Sequence, residues 1–147
     1  MTISLEQISP GAIAYDPDDS VLNHAASELR VHLRPSADAR QAVSLRVEPV
    51  SVDHDGFELR VFDGAVDVVG GNPKAVLNGV FALLERLGYR WVRPGDAGTR
   101  LIPGRPVAEG VYRETPSFPR RTLILGNDAL HDQWPDWLDF ASRNRLN

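Results

Sequence analysis

The run Phe57-Glu58-Leu59-Arg60-Val61-Phe62-Asp63-Gly64-Ala65-Val66-Asp67-Val68-Val69 reads as two strands joined by a tight turn. Asp-Gly between two strand-like runs is the strongest short-range hairpin signal, because a two-residue turn of this kind needs positive φ at its central residues. The next residues, Gly70-Gly71-Asn72-Pro73, open a helix: Asn72 suits the N-cap and Pro73 the first helical position. Ala75, Val76, Val80, Leu83, Leu84 and Leu87 then recur at helical spacing until Gly88 supplies a stop, so a helix is expected over 73–87.

Upstream, Ala12-Ile13-Ala14-Tyr15 is a short strand closed by Asp16-Pro17-Asp18-Asp19-Ser20, which has turn chemistry and a helix N-cap. Val21, Leu22, Ala25, Ala26, Leu29 and Leu33 form the apolar stripe of a helix near 20–33, with Asn23, Ser27, Glu28 and Arg30 placed on the other side. Residues 42–52 alternate as Val43, Leu45, Val47 against Ser44, Arg46, Glu48, the pattern of a strand buried on one face, and Pro49 favours an edge or a strand end.

Downstream, Tyr89-Arg90-Trp91-Val92 is a short strand, and residues 94–106 form a Gly- and Pro-rich surface connection without periodicity. Residues 110–114 are extended. Leu123-Ile124-Leu125 is expected to be a strand buried on both faces, and Trp134 to Leu146 one amphipathic helix using Trp137, Leu138, Phe140 and Ala141. The fold class is α/β, in the two-layer α+β sense: a mixed, largely antiparallel sheet with two main helices on one face.

The 147 residues fit one ordinary domain, and the absence of cysteine excludes disulfides and thiolate chemistry. A net charge of −4 lacks the basic footprint that nucleic acid requires, so no nucleic-acid partner is expected. No stretch approaches the roughly 20 apolar residues of a membrane span, and Met1-Thr2-Ile3-Ser4-Leu5-Glu6 has no basic and apolar leader pattern, so the chain reads as soluble and cytoplasmic.

Sites for chemistry are sparse. Gly70-Gly71-Asn72-Pro73 matches neither GxGxxG nor a Walker motif and reads as a plain strand-to-helix turn, with no cofactor expected. His24 and His32 lie eight residues apart, too far for an i, i+4 metal pair, and His54 and His131 sit in a turn and the tail; all are expected to be solvated, with no metal site. Asp16, Asp18 and Asp19 lack the further ligands of a calcium loop and serve as a helix cap. No serine stands in a G-x-S-x-G elbow, and no carboxylate pair can be nominated for glycoside hydrolysis. Trp91, Trp134 and Trp137 read as core or interface residues rather than as a sugar platform.

The order Asp55-Gly56-Phe57-Glu58-Leu59-Arg60-Val61, Asp63-Gly64, Val66-Asp67-Val68-Val69-Gly70-Gly71-Asn72 and Val76-Leu77-Asn78-Gly79-Val80-Phe81-Ala82-Leu83-Leu84-Glu85-Arg86-Leu87-Gly88 resembles the N-terminal α/β domain shared by beta-N-acetylhexosaminidases and alpha-glucuronidases. Gly88-Tyr89-Arg90-Trp91-Val92-Arg93-Pro94-Gly95 with Gly98-Thr99 is similar to bacterial relatives of the alpha-glucuronidase type, in which the domain precedes a (β/α)8 catalytic barrel. The resemblance covers roughly residues 10–125.

It implies an accessory domain over residues 1–115 and the truncated start of a barrel over 116–147, with Pro116-Ser117-Phe118-Pro119-Arg120-Arg121 approaching the first barrel strand. Catalytic carboxylates would lie on later barrel strands, so the chain is expected to be inert alone, its job being to buttress a barrel that hydrolyses O-glycosidic bonds. Of the family's sugar contacts only Arg121 carries over, acting with the full barrel; Gly126 stands where an aspartate is common after that strand. The expected partners are that barrel and its carbohydrate substrate, with apolar side chains on the uncovered sheet face or tail making the contact. The tail, if exposed, is a self-association surface. The alternative is an independent carbohydrate-binding module.

Overall fold

The computed structural model describes residues 2–37, 39–50, 52–103, 105–124 and 132–146. In chain order the elements are β1 (Thr2–Ile3), β2 (Ile8–Ala14), α1 (Ser20–His32), β3 (Gln41–Val47), β4 (Phe57–Phe62), β5 (Ala65–Gly70) and α2 (Pro73–Arg86). They continue with β6 (Tyr89–Trp91), β7 (Thr99–Leu101), β8 (Val107–Ala108), β9 (Gly110–Glu114) and α3 (Trp134–Arg143).

Among the described residues the main sheet has the order β2-β3-β5-β4-β9. Its pairings divide evenly: β2 with β3 and β3 with β5 are parallel, β5 with β4 and β4 with β9 antiparallel. The small β1–β8 and β6–β7 pairs are antiparallel too, so antiparallel pairing predominates among the described residues. The β4–β5 hairpin turns on Asp63 (φ 48°) and Gly64 (φ 76°), the positive pair that the Asp-Gly dipeptide calls for. β3 ends before Pro49 and lies inside the sheet, so Pro49 marks a strand end.

Both helices start as their sequences dictate. The amides of Val21 and Leu22 donate to Asp19 Oδ1 at 2.8 and 3.0 Å, and the amide of Ala75 donates to Asn72 Oδ1 at 2.9 Å. Side chains of Val43, Leu45, Phe57, Leu59, Val61, Val66 and Val68 alternate along their strands and are buried in one core with α1 and α2. Helix α2 is the centre of that core: every residue from Ala75 to Leu84 is buried, Gly79 and Asn78 included. Gly79 permits the close approach, since a Cβ there would lie 2.6 Å from Val68 Cγ1. Gly88 ends the segment at φ 113°, and a Cβ would meet the Ile102 carbonyl at 2.1 Å. It fits only as glycine.

The other face of the sheet is mainly polar, with Phe62 and Val111 as exposed apolar residues, which moves the apolar contact expected of the uncovered face or the tail towards the tail. Arg46 pairs with Asp67 and with Glu48 (3.0 Å), Arg60 with Glu48 and Glu58, and Arg113 with Glu58 at 2.9 Å. The residues opposite the core positions carry this ladder because alternate side chains of a strand face opposite ways. Three further corrections concern the helices and the tail. Glu28 is buried on α1, where the helical pattern placed it outside. Helix α3 stops at Arg143, short of Leu146, because Arg145 adopts φ 57° and the amides of Arg145 and Leu146 donate to the carbonyls of Ser142 and Ala141. Residues 121–124 form no strand, and Ile124 is 87% exposed; no strand lies beside it among the described residues to complete a ladder. Leu125, Gly126 and His131 lie outside the described residues. Residues 94–106, expected to be irregular, contain β7, which pairs with β6 and turns back over Gly88 through the Ile102 amide, 3.0 Å from the Gly88 carbonyl.

Candidate functional site

Helix α3 and the residues after it, to Leu146, lie against the helix layer and are fastened there by arginines. Arg143 Nε and Nη2 donate to Glu28 Oε2 and Oε1 at 3.0 and 3.3 Å, and Arg145 pairs with Glu85 on α2. Asn144 Nδ2 caps α3 by donating to the Phe140 carbonyl at 2.9 Å, and Lys74 Nζ reaches the Leu146 carbonyl at 3.4 Å. Burial works to lower the Arg143 pKa, and the hydrogen bonds and negative charge of Glu28 outweigh it, so the guanidinium is held above its usual range.

Arg121 belongs to the same seam. Its Nε donates to the Arg145 carbonyl (2.8 Å), its Nη1 to the Phe118 carbonyl (2.7 Å), and its Nη2 lies 3.8 Å from Asp55. It lines a 280 Å³ cavity together with Asp55, Asn78, Glu114 and Asn144. One guanidinium thus collects a carbonyl from before α3 and another from after it. Of the carboxylates here, Asp55 lies beside Arg121, and Glu114 pairs with Arg86 at 3.0 Å.

While its polar side is anchored, α3 turns apolar residues outward. Leu138 is 61% exposed and Trp134 46%, and Phe118 on the approach is 70% exposed. Leu123, Trp137, Leu138, Ala141 and Leu146 line a mainly apolar 380 Å³ groove, in which the Trp137 indole N–H is buried without a hydrogen-bond partner. Sequence reasoning found the helix and its apolar residues. It missed Glu28 as their anchor, because a glutamate on a helix gives no local sign that an arginine more than a hundred residues later will cover it.

The remaining candidates are dispersed. Trp91 is 5% exposed, set edge-on to His32 and Phe81 and stacked on Tyr89, so it is core. His24 and His54 are exposed, but His32 is buried, correcting the expectation that it is solvated. Its Nδ1 lies 2.8 Å from the Glu28 carbonyl oxygen, and the Tyr89 hydroxyl donates to the His32 carbonyl at 2.7 Å. Gly70 serves packing: a Cβ there would lie 2.6 Å from Ala75 Cβ, at the point where α2 leaves β5. Among the described residues no three His, Asp or Glu side chains gather to hold a metal, and no helix is long and apolar enough to cross a membrane.

No protein-family model matches the chain, and no curated protein matches it.

Proposed function

We propose that the chain is a non-catalytic accessory domain of a glycoside hydrolase, buttressing a (β/α)8 barrel that cleaves O-glycosidic bonds, with residues 116–147 forming the barrel's start. The observation that carries this reading is the tail: α3 is fixed to the helix layer by Arg143 and Arg145, while Trp134, Leu138, Phe118 and Ile124 face outward. A helix anchored through its polar side with an apolar groove left open is suited to receive further polypeptide, and large outward apolar surfaces mark interaction sites. Arg121, which the resemblance makes a sugar contact, holds the connection between the two parts, so in this reading it acts on substrate only within the completed barrel. The cytoplasmic setting read from the sequence goes with the proposal.

The test is turnover of aryl N-acetylglucosaminide, glucuronide and glucoside by this chain and by the chain extended through a complete barrel. Turnover by the extended protein alone supports the reading and names the substrate class. Turnover by the 147-residue chain overturns it. Glycan binding by the isolated chain, lost on Trp134→Ala, would favour a carbohydrate-binding module instead.

A further inference from the structure

A second cleft, away from the tail groove, lies between the end of α2, β6, the β8 segment and β9, with a volume of 620 Å³. That is within the range of sites for small ligands. Five charged side chains line it: Glu85, Arg86, Arg90, Arg105 and Glu114, an excess of one positive charge in a chain whose net charge is −4.

The two carboxylates are already matched, Glu85 by Arg145 from outside the cleft and Glu114 by Arg86. Arg86 also sits over the Tyr112 ring, 4.4 Å from its centroid, with its Nε buried and without a hydrogen-bond partner. Arg90 donates through Nη1 to the carbonyls of Glu85 (2.6 Å) and Tyr89, neutral acceptors that leave its charge uncompensated. Arg105 is exposed and has no ion pair or hydrogen bond among the described residues. Two unmatched guanidinium groups thus line one concave site, beside the apolar surface of Ala82, Pro106 and Val107.

We infer that this cleft binds a small organic anion, a carboxylate- or phosphate-bearing molecule about the size of a sugar phosphate, its anionic group held by Arg90 and Arg105 and its body lying on the Val107–Tyr112 side. Guanidinium forks suit carboxylate and phosphate oxygens because two N–H groups meet two oxygens in one plane. The inference is independent of the accessory-domain reading: it concerns a different surface and requires no barrel.

Titration of the 147-residue chain by calorimetry and amide NMR with glucose 6-phosphate, gluconate and uncharged glucose tests it. The expected result is saturable binding of at least one anion, with shifts at Val107, Ala108 and Tyr112, no binding of glucose, and weakening as salt is raised. The preference between the two anions assigns phosphate or carboxylate. Arg105→Ala, at an exposed and unpaired position, retains the fold and lowers affinity about tenfold or more, the size expected for one charge-assisted hydrogen bond. Arg100→Ala, on the neighbouring hairpin, leaves affinity unchanged. Failure of both anions to bind at millimolar concentration, equal binding of glucose, or wild-type affinity in Arg105→Ala would overturn the inference.

Discussion

Arg143 on α3 and Glu28 on α1 meet through two hydrogen bonds although 115 residues separate them in sequence. Glu28 is 8% exposed, and its other near neighbour is His32, whose Nδ1 lies 3.9 Å away. The pair converts a buried carboxylate, which alone is unfavourable, into the anchor of the tail. Glu28→Ala is expected to lower stability by about 2–3 kcal/mol, somewhat below the loss on breaking a fully buried pair. Urea denaturation measures this, and amide exchange in α3 should rise before exchange in α2. A double-mutant cycle with Arg143→Ala should show coupling; simple additivity would mean that the two side chains do not act together.

Glu58 makes the open face pH-dependent. Its hydrogen bond from Arg113 lowers the carboxyl pKa below the ordinary 4.5; burial pushes the other way, and Arg60 adds to the lowering. Its side chain is 5% exposed, yet the cover comes from two arginines at the sheet surface rather than from the deep core. Because the folded value is below the unfolded one, the stabilisation is complete above pH 4.5 and is lost as pH falls through the lowered folded value. Urea midpoints at pH 7, 5, 4 and 3 should fall less steeply at the acid end for Glu58→Gln than for the parent, although the variant is less stable at pH 7. Parallel profiles would count against this assignment.

Gly79 sets the spacing between α2 and the sheet. Alanine is the better helix former by about 1 kcal/mol, but its Cβ would lie 2.6 Å from Val68 Cγ1 and 3.3 Å from the Phe57 ring. Val68 is β-branched and buried, so it yields poorly. Overpacking should win, and Gly79→Ala is expected to destabilise by about 1–2 kcal/mol. In a Val68→Ala background, itself destabilised by lost core packing, Gly79→Ala should cost less in chemical denaturation, since the obstructing methyl is gone.

Arg145 occupies the left-handed position after α3, where glycine is the usual residue. An L-residue is disfavoured there by about 1 kcal/mol, and the ion pair with Glu85 offsets this. Arg145→Ala removes the pair and keeps the strain, so it should cost about 1 kcal/mol or more. Arg145→Gly should be close to neutral in thermal unfolding. If glycine proved as harmful as alanine, backbone strain would have no part in the balance.

Much of the scaffold was legible where the signal is local. The Asp63-Gly64 hairpin appears over the strands expected, α2 ends one residue before the predicted Leu87, and α1 ends at His32 rather than Leu33, because caps and turn dipeptides act on their own neighbours. Parallel pairing of β3 with β5 was not legible: it joins strands across an intervening hairpin and leaves no local mark. Strand β6 was read within one residue of its end, but its partner β7 has three residues inside a Gly- and Pro-rich stretch, too few to show a period. In the candidate site, Arg121 was singled out through resemblance, but its grip on the Arg145 and Phe118 carbonyls depends on where the tail lands, a matter of tertiary geometry.

The distance along the chain between Glu28 and Arg143 also orders events during synthesis. At roughly 5–20 residues per second, the ribosome delivers Arg143 some 6–23 s after Glu28. The sheet and both main helices are polymerised before then, so until that moment Glu28 lacks the partner that it has in the folded chain. Arg143 then brings both hydrogen bonds at once, so the docking of α3 is the step that exchanges water around this carboxylate for a guanidinium.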